Sequence, residues 1–210
     1  MIRFSILTLF PEALGGYMGA SMLWKARDRK KISIKVINPR DFSRDKHHKA
    51  DARPYGGGPG MVLSAEPILR AVGKIKAKSK IIILSPRGKQ FTNKLAINWA
   101  KKYKDIILIS GHYEGIDARV KKILKADEIS VGPYTLTGGE LPAMIIVDAL
   151  TRQIPGVLGH DESLEELRVS SGEVYTRPEI LTHKGKKYRV PKVLLSGHQK
   201  NIETWKATRK

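Results

Sequence analysis

Three segments of the chain set glycine beside residues able to hold a small polar ligand: Ser85-Pro-Arg-Gly88, Gly111-His-Tyr-Glu-Gly115 and Gly132-Pro-Tyr-Thr-Leu-Thr-Gly-Gly139. Glycine lacks a Cβ, so its backbone can approach a ligand closely or bend where other residues resist. Each segment follows a short apolar run (Lys80–Leu84, Asp105–Ser110 and Glu128–Val131) that reads as a strand. Loops at the carboxyl ends of parallel strands are where open α/β sheets bind ligands, so the three are expected to converge on one pocket. The same pattern also suits plain strand, turn and core helix. A fourth segment, Arg53-Pro-Tyr-Gly-Gly-Gly-Pro-Gly-Met61, packs four glycines and two prolines into nine residues. It is no phosphate-binding loop, since no Gly-Lys-Ser/Thr follows, and Pro59 breaks the dinucleotide fingerprint. It reads either as a surface against which a planar or phosphorylated ligand lies or as a flexible linker.

The elements that must position these loops follow from period and punctuation. Arg3–Phe10, closed by Pro11, and Ile32–Ile37, stopped by Asn38-Pro39, read as two further strands. Helices are expected over Ser21–Arg29, from a capping Ser64 through Pro67 to about Lys76, over Asn93–Lys102 and over Ile116–Leu124. Glu140–Gln153 is expected to be a helix too, and its Leu141, Met144, Ile145, Val147 and Leu150 cover more than one face. Such a helix needs cover on several sides, and a second subunit is one source of it. Strands alternating with helices imply an α/β domain with a mostly parallel sheet. His160–Tyr175, HDESLEELRVSSGEVY, turns acidic and polar and reads as a linker long enough to cross a cleft. Residues 176–210 hold too few apolar side chains for a large core and read as a small helical appendage.

Lys and Arg number 39 against 20 acidic residues, a net charge of +19, which points to a polyanionic partner, nucleic acid first. Eleven Lys or Arg and four Asp fall between Lys25 and Arg53, and residues 40–53, without apolar periodicity, read as a mobile basic loop that orders on RNA. His47 and His48 lie there without a carboxylate at ligand spacing, which favours solvent or phosphate contact over a metal. The absence of cysteine excludes disulfides, thiolate catalysis and zinc–cysteine sites, and fits a reducing compartment. No run approaches the ~20 apolar residues of a membrane helix, so the expected setting is cytoplasmic, with no membrane partner.

Across nearly its whole length the sequence resembles the bacterial tRNA (guanine-N1)-methyltransferases that modify guanosine 37, members of the SPOUT class with a trefoil-knotted α/β fold. The resemblance rests on Ile6-Leu-Thr-Leu-Phe-Pro-Glu12, Arg53–Met61, Gly111-His-Tyr-Glu-Gly-Ile-Asp117, Tyr134-Thr-Leu-Thr-Gly-Gly-Glu-Leu-Pro142, Tyr175-Thr-Arg-Pro178 and Val193-Leu-Leu-Ser-Gly197. It implies S-adenosyl-L-methionine as methyl donor, a homodimer with the active site between subunits, tRNA as substrate and a requirement for Mg2+ at residues it does not identify. It also implies a methyltransferase domain over 1–159 whose knot lies toward its carboxyl end, a linker over 160–175 and a shortened helical tRNA-binding domain over 176–210. The donor would be wrapped by Ser85, Pro86, Gly88, Gly111, Tyr113, Glu114, Val131, Gly132, Pro133, Tyr134, Thr135, Leu136, Gly138 and Gly139. A Rossmann-type donor site is disfavoured, because the first strand runs into Phe10-Pro-Glu12 and not into a glycine turn.

Methylating N1 of guanine requires removal of its proton and stabilisation of the charge developing toward O6. Arg152 matches the family's arginine and is the candidate for charge stabilisation. The family's base is a linker aspartate, but ungapped alignment of Ser163–Gly172 puts Leu167 there, so the adjacent Glu166 is the candidate, with Asp161, Glu162 and Glu165 as alternatives. Pro133 stands where the family usually has an acidic residue, which stiffens the turn and removes a carboxylate. The competing expectation is a non-catalytic RNA-binding module on the same scaffold. The retained glycine loops favour the enzyme, and donor calorimetry separates the two.

Overall fold

The computed structural model describes residues 1–75, 78–158 and 173–209. The chain divides into two compact units, Met1–Leu158 and Gly159–Lys210. The first contains β1 (Ile2–Leu7), α1 (Gly15–Met18), α2 (Ser21–Asp28), β2 (Ile32–Ile37), β3 (Asp51–Ala52), β4 (Val62–Leu63), α3 (Ala65–Gly73), β5 (Lys80–Gln90), α4 (Asn93–Lys102), β6 (Asp105–Ser110), α5 (Ala118–Leu124), β7 (Asp127–Ser130) and α6 (Glu140–Thr151). Five strands form one sheet in the order β2-β1-β6-β5-β7, and every pairing in it is parallel.

Alternation along the central strands sorts the core into two layers. Phe4, Ile6, Ile82, Leu84, Ile106 and Leu108 point to one face, where they meet Leu23 of α2, Trp99 of α4 and Ile146, Val147 and Leu150 of α6. Ile83, Ile107 and Ile109 point to the other, against Ile68 and Val72 of α3 and Val120 of α5. Strands covered on both faces must be apolar throughout, which is why KIIIL and DIILIS show no polar alternation.

Several boundaries differ from the sequence reading, each for a local reason. Ser64 stands at the amino end of α3 but makes no side-chain cap; its backbone N–H instead donates to the Ala50 carbonyl. The described part of α3 ends at Gly73, and residues 76 and 77 lie outside the described residues. Ile116 is not helical, because its backbone bridges to Leu63, and α5 begins only after Asp117, whose carboxylate accepts from the Arg119 N–H at 2.9 Å. Residues 40–53 are folded. Pro39–Phe42 forms a 3-10 turn, and the Asp45 carboxylate accepts from the backbone N–H groups of His47 and Lys49. Arg53–Met61 is the loop of a small antiparallel hairpin joining β3 to β4, with left-handed φ at Gly56, Gly57, Gly58 and Gly60.

The second unit is not purely helical. Its described residues form β8 (Ile180–His183) and β9 (Lys186–Arg189), an antiparallel hairpin, followed by α7 (Lys192–Leu195) and α8 (Gln199–Ala207). Lys184 (φ 48) and Gly185 (φ 73) both sit in the left-handed region, as a two-residue turn of matching twist requires. Tyr175 packs on Trp205 with ring centroids 6.2 Å apart, and the Arg209 guanidinium lies 5.1 Å from the Trp205 ring centre. None of its described residues is fully buried, in keeping with a unit too small for a core of its own.

Candidate active site

The bulge within β5 at Ser85–Gly88 and the loops after β6 and β7 enclose a cleft of 770 Å³ at the carboxyl edge of the sheet. A ligand of drug-like size fits such a volume. Ser85, Pro86, Gly111, Tyr113, Glu114, Val131, Tyr134, Thr135, Leu136, Gly138 and Gly139 all line it. Gly88, Gly132 and Pro133 are not in its wall. Gly132 lies beneath the Tyr134 ring, where a Cβ would come within 2.2 Å of it, and Pro133 is exposed. The carboxylate that Pro133 replaces would therefore stand outside this wall.

Close backbone crossing shapes the cleft. The Gly139 N–H donates to the Gly111 carbonyl at 2.8 Å, and His112 and Gly138 form an antiparallel bridge. A Cβ on Gly139 would lie 2.6 Å from Ser110 Cα and 2.7 Å from Gly111 N, both backbone atoms that cannot step aside. The requirement is proximity, since Gly139 keeps an ordinary φ of −86°. Tyr113 holds a left-handed φ of 56°, a strained choice for an aromatic residue, and its ring meets that of His112 edge-on at 4.5 Å. The hairpin β3–β4 braces this strained turn: Glu114 N–H donates to Met61 O at 3.0 Å, and Leu63 N–H donates to Gly115 O at 2.9 Å.

Polar groups converge on the same place. His112, a cleft residue that the sequence reading did not single out, has a buried Nδ1 without a hydrogen-bond partner, as has the Ser110 hydroxyl behind it. Thr8, at the end of β1, donates from its hydroxyl to Glu140 Oε1 at 2.5 Å, tying the start of α6 to the sheet. Glu128 also lines the cleft, and Lys121, then Ser85, hold its carboxyl below the usual carboxylate range by hydrogen bonding to the charged form. A cleft walled by closely crossing glycine backbone, an unpaired ring nitrogen and several hydroxyls suits a ligand carrying both aromatic and polar parts, as S-adenosyl-L-methionine does. Among the described residues no three His, Asp or Glu side chains gather as a metal site, so the Mg2+ expectation finds no ligand set there.

Arg152 lies elsewhere. It caps the carboxyl end of α6, half-buried, with its N–H donating to Asp148 O at 3.1 Å. Thirteen residues of helical rise separate it from Gly139, about 20 Å. Glu166, Asp161, Glu162 and Glu165 lie outside the described residues. No helix among the described residues is long and apolar enough to cross a membrane.

Residues 2–210 match the family model described as tRNA (Guanine-1)-methyltransferase TrmD. Proteins named tRNA (guanine-N(1)-)-methyltransferase are similar to the chain in Dictyoglomus turgidum (48% identical over 98% of this chain and 84% of the relative). The corresponding protein of Carboxydothermus hydrogenoformans is 47% identical over 98% of this chain and 81% of its own length. That of Desulforamulus reducens is 45% identical over 98% and 82%.

Proposed function

Because the chain belongs to the tRNA (guanine-N1)-methyltransferase family, we propose that it methylates N1 of guanosine 37 in tRNA, with the cleft at the sheet edge as the S-adenosyl-L-methionine site. The observation that carries the donor assignment is the 770 Å³ cleft at the carboxyl edge of the sheet, one wall of which is the crossing of Gly138-Gly139 over Ser110–His112 that Gly139 permits because it has no Cβ. The same crossing of two late loops supports the knotted topology expected of the SPOUT class. When bound, the donor supplies a methyl group made electrophilic by its sulfonium.

The chain's own residues do the rest. The Glu166 carboxylate takes the N1 proton of guanine, and the Arg152 guanidinium stabilises the negative charge gathering on O6. With the proton removed, N1 would be the nucleophile for the methyl group that the bound donor would supply, the sulfonium sulfur keeping the electrons of the bond it gives up. Asp161, Glu162 and Glu165 are the alternative bases. Ser85, Tyr134 and Leu136 flank the cleft and orient the donor, while the glycines keep it close.

A separation of about 20 Å between Arg152 and Gly139 along α6 is too long for both to serve one site within a single chain. A homodimer resolves this by bringing the carboxyl end of one α6 to the cleft of its partner. The surface for it is on the same helix: Leu141 (52% exposed) and Ile145 (37% exposed), spaced i and i+4, form an apolar stripe, beyond which Asp148 accepts from the Tyr17 hydroxyl of α1. Basic residues outside the cleft supply the phosphate contacts that tRNA requires. The test is a methylation assay on unmodified tRNA with S-adenosyl-L-methionine and mapping of the product. Methyl transfer to N1 of guanosine 37 is expected; a modified position elsewhere, or donor binding without transfer to tRNA, refutes the reading.

A further inference from the structure

Thr8, which follows β1, is a polar side chain in the core, only 1% exposed. Its oxygen accepts from the Phe10 backbone N–H at 2.9 Å, and an N–H can only donate. The hydroxyl hydrogen is therefore free for Glu140 Oε1, 2.5 Å away, so that bond has a single direction. Glu140 is the first residue of α6, half-buried, and directly follows the two glycines of the crossing. Its other oxygen, Oε2, lies against Gly138, where a Cβ would come within 2.2 Å of it.

These contacts close a ring. Gly138 bridges to His112, the His112 ring packs on Phe10 with centroids 4.7 Å apart, and the Phe10 N–H returns to Thr8. His112 and Gly138 belong to the wall of the 770 Å³ cleft, whereas Thr8, Phe10 and Glu140 do not. Whatever these three contribute to donor binding is transmitted through the wall. Gly138 and Gly139 have no side chains to pack, and glycine loses more freedom on ordering than any other residue, so neighbours must fix their conformation. Within the ring, the bond from Thr8 to Glu140 joins the end of β1 to the start of α6 across 132 positions of chain. The methyl-transfer chemistry uses neither residue.

We infer that Thr8 and Glu140 are positioning residues for the methyl donor: their bond holds Gly138 and Gly139 against Ser110–His112 in the geometry that donor binding needs, without either side chain touching the donor or the methylated base. This rests on the donor-site reading above. The experiment is titration calorimetry with S-adenosyl-L-methionine on the full-length wild type, Thr8→Val, Thr8→Ser, Glu140→Ala, Glu140→Gln and the Thr8→Val/Glu140→Ala pair, alongside steady-state kinetics with tRNA. Thr8→Val and Glu140→Ala are each expected to weaken donor binding about tenfold, the scale of a lost bond to a charged group. In the Thr8→Val background Glu140→Ala adds at most about twofold, because the two residues share one tie. Thr8→Ser keeps the hydroxyl and Glu140→Gln keeps an acceptor for it, so both stay within about threefold of wild-type affinity. The donor KM follows the affinity while kcat at saturation stays within about twofold. A carboxylate in the first turn also favours the helix itself, so a merely structural role would lower thermal stability and leave the affinity of the folded protein unchanged.

Unchanged donor affinity in Thr8→Val or Glu140→Ala, full additivity in the pair, losses in Thr8→Ser or Glu140→Gln as large as in the truncated variants, or a fall in kcat at saturation each overturns the inference. If Thr8→Val does not fold, Glu140→Ala against Glu140→Gln decides, since Glu140 is only half-buried. Leu136→Arg, which pushes a guanidinium into the cleft from another wall, separates the donor-site reading from the positioning role. If it keeps normal donor affinity, the cleft assignment itself fails. If it loses the donor while Thr8→Val and Glu140→Ala do not, only the role of Thr8 and Glu140 fails.

Discussion

The two ends of α6 are built on opposite principles. At the amino end the cleft wall is made by removing atoms: Gly139 crosses Ser110 and Gly111 so closely that no Cβ can be added. At the carboxyl end the proposed function rests on what is present, the Arg152 cation, and on chain supplied from beyond the helix. A cradle fixed by exclusion is complete within one folded unit and fails abruptly when an atom is added. A charge site fails by degrees and depends on assembly.

The largest expected effect is at the amino end. Gly139→Val should remove donor binding beyond detection, because the added atoms meet Ser110 and Gly111 backbone, whereas Gly138→Ala should be milder, since the nearest obstacles are the side chains of Glu140 and His112. Calorimetry with S-adenosyl-L-methionine on protein verified as folded by circular dichroism decides this; a folded Gly139→Val that binds normally erases the contrast between the ends.

At the carboxyl side, Glu166→Gln should lower kcat by roughly 10²–10⁴-fold, and Arg152→Ala by roughly 10²–10³-fold. Neither should change donor affinity. If Glu166→Gln turns over normally while Asp161→Asn or Glu162→Gln does not, the base lies earlier in the linker.

Mixing tests whether the two ends meet across a dimer. Arg152→Ala and Leu136→Arg, each inactive alone, should regain about a quarter of wild-type activity when co-refolded, because half of randomly paired dimers carry one intact site. No recovery, or a monomer by light scattering, means the ends do not share a site.

The smallest effect concerns the cleft wall. Glu128 has a folded pKa below its unfolded value, near 4.3, so its contribution to stability is present above that pH and is lost as pH falls through the folded value. Wild-type stability should therefore drop more steeply below pH ~4 than that of Glu128→Gln, as thermal unfolding across an acid series would show.

Much of the first unit was legible because strands buried on both faces must be apolar, and KIIIL and DIILIS declare themselves in that way. Turn chemistry was harder to read. Lys184-Gly185 makes a two-residue hairpin turn without the usual Asn or Asp, so nothing in residue type marks β8 and β9 as strands and the segment reads as a helical appendage. Arg53–Met61 has the composition of a linker, and only its flanking pairs, Asp51 with Leu63 and Ala52 with Val62, make it a hairpin loop.

By itself the sequence determined the apolar strands, the basic surface, the glycine loops and, through long ordered motifs, the family. These are written in residue type and spacing, which local physics reads directly. Only the tertiary structure decided what each glycine is for. Gly139 spares a backbone crossing, Gly88 lets an extruded loop seat on β7, and Gly132 lies under Tyr134; all three look alike in the chain because the obstructing atom comes from a segment distant in sequence or from a side chain folded back. The same holds for Glu128, which reads as a polar strand residue until Lys121 is brought to it, and for Arg152, whose distance from the cleft is set by the length of a helix.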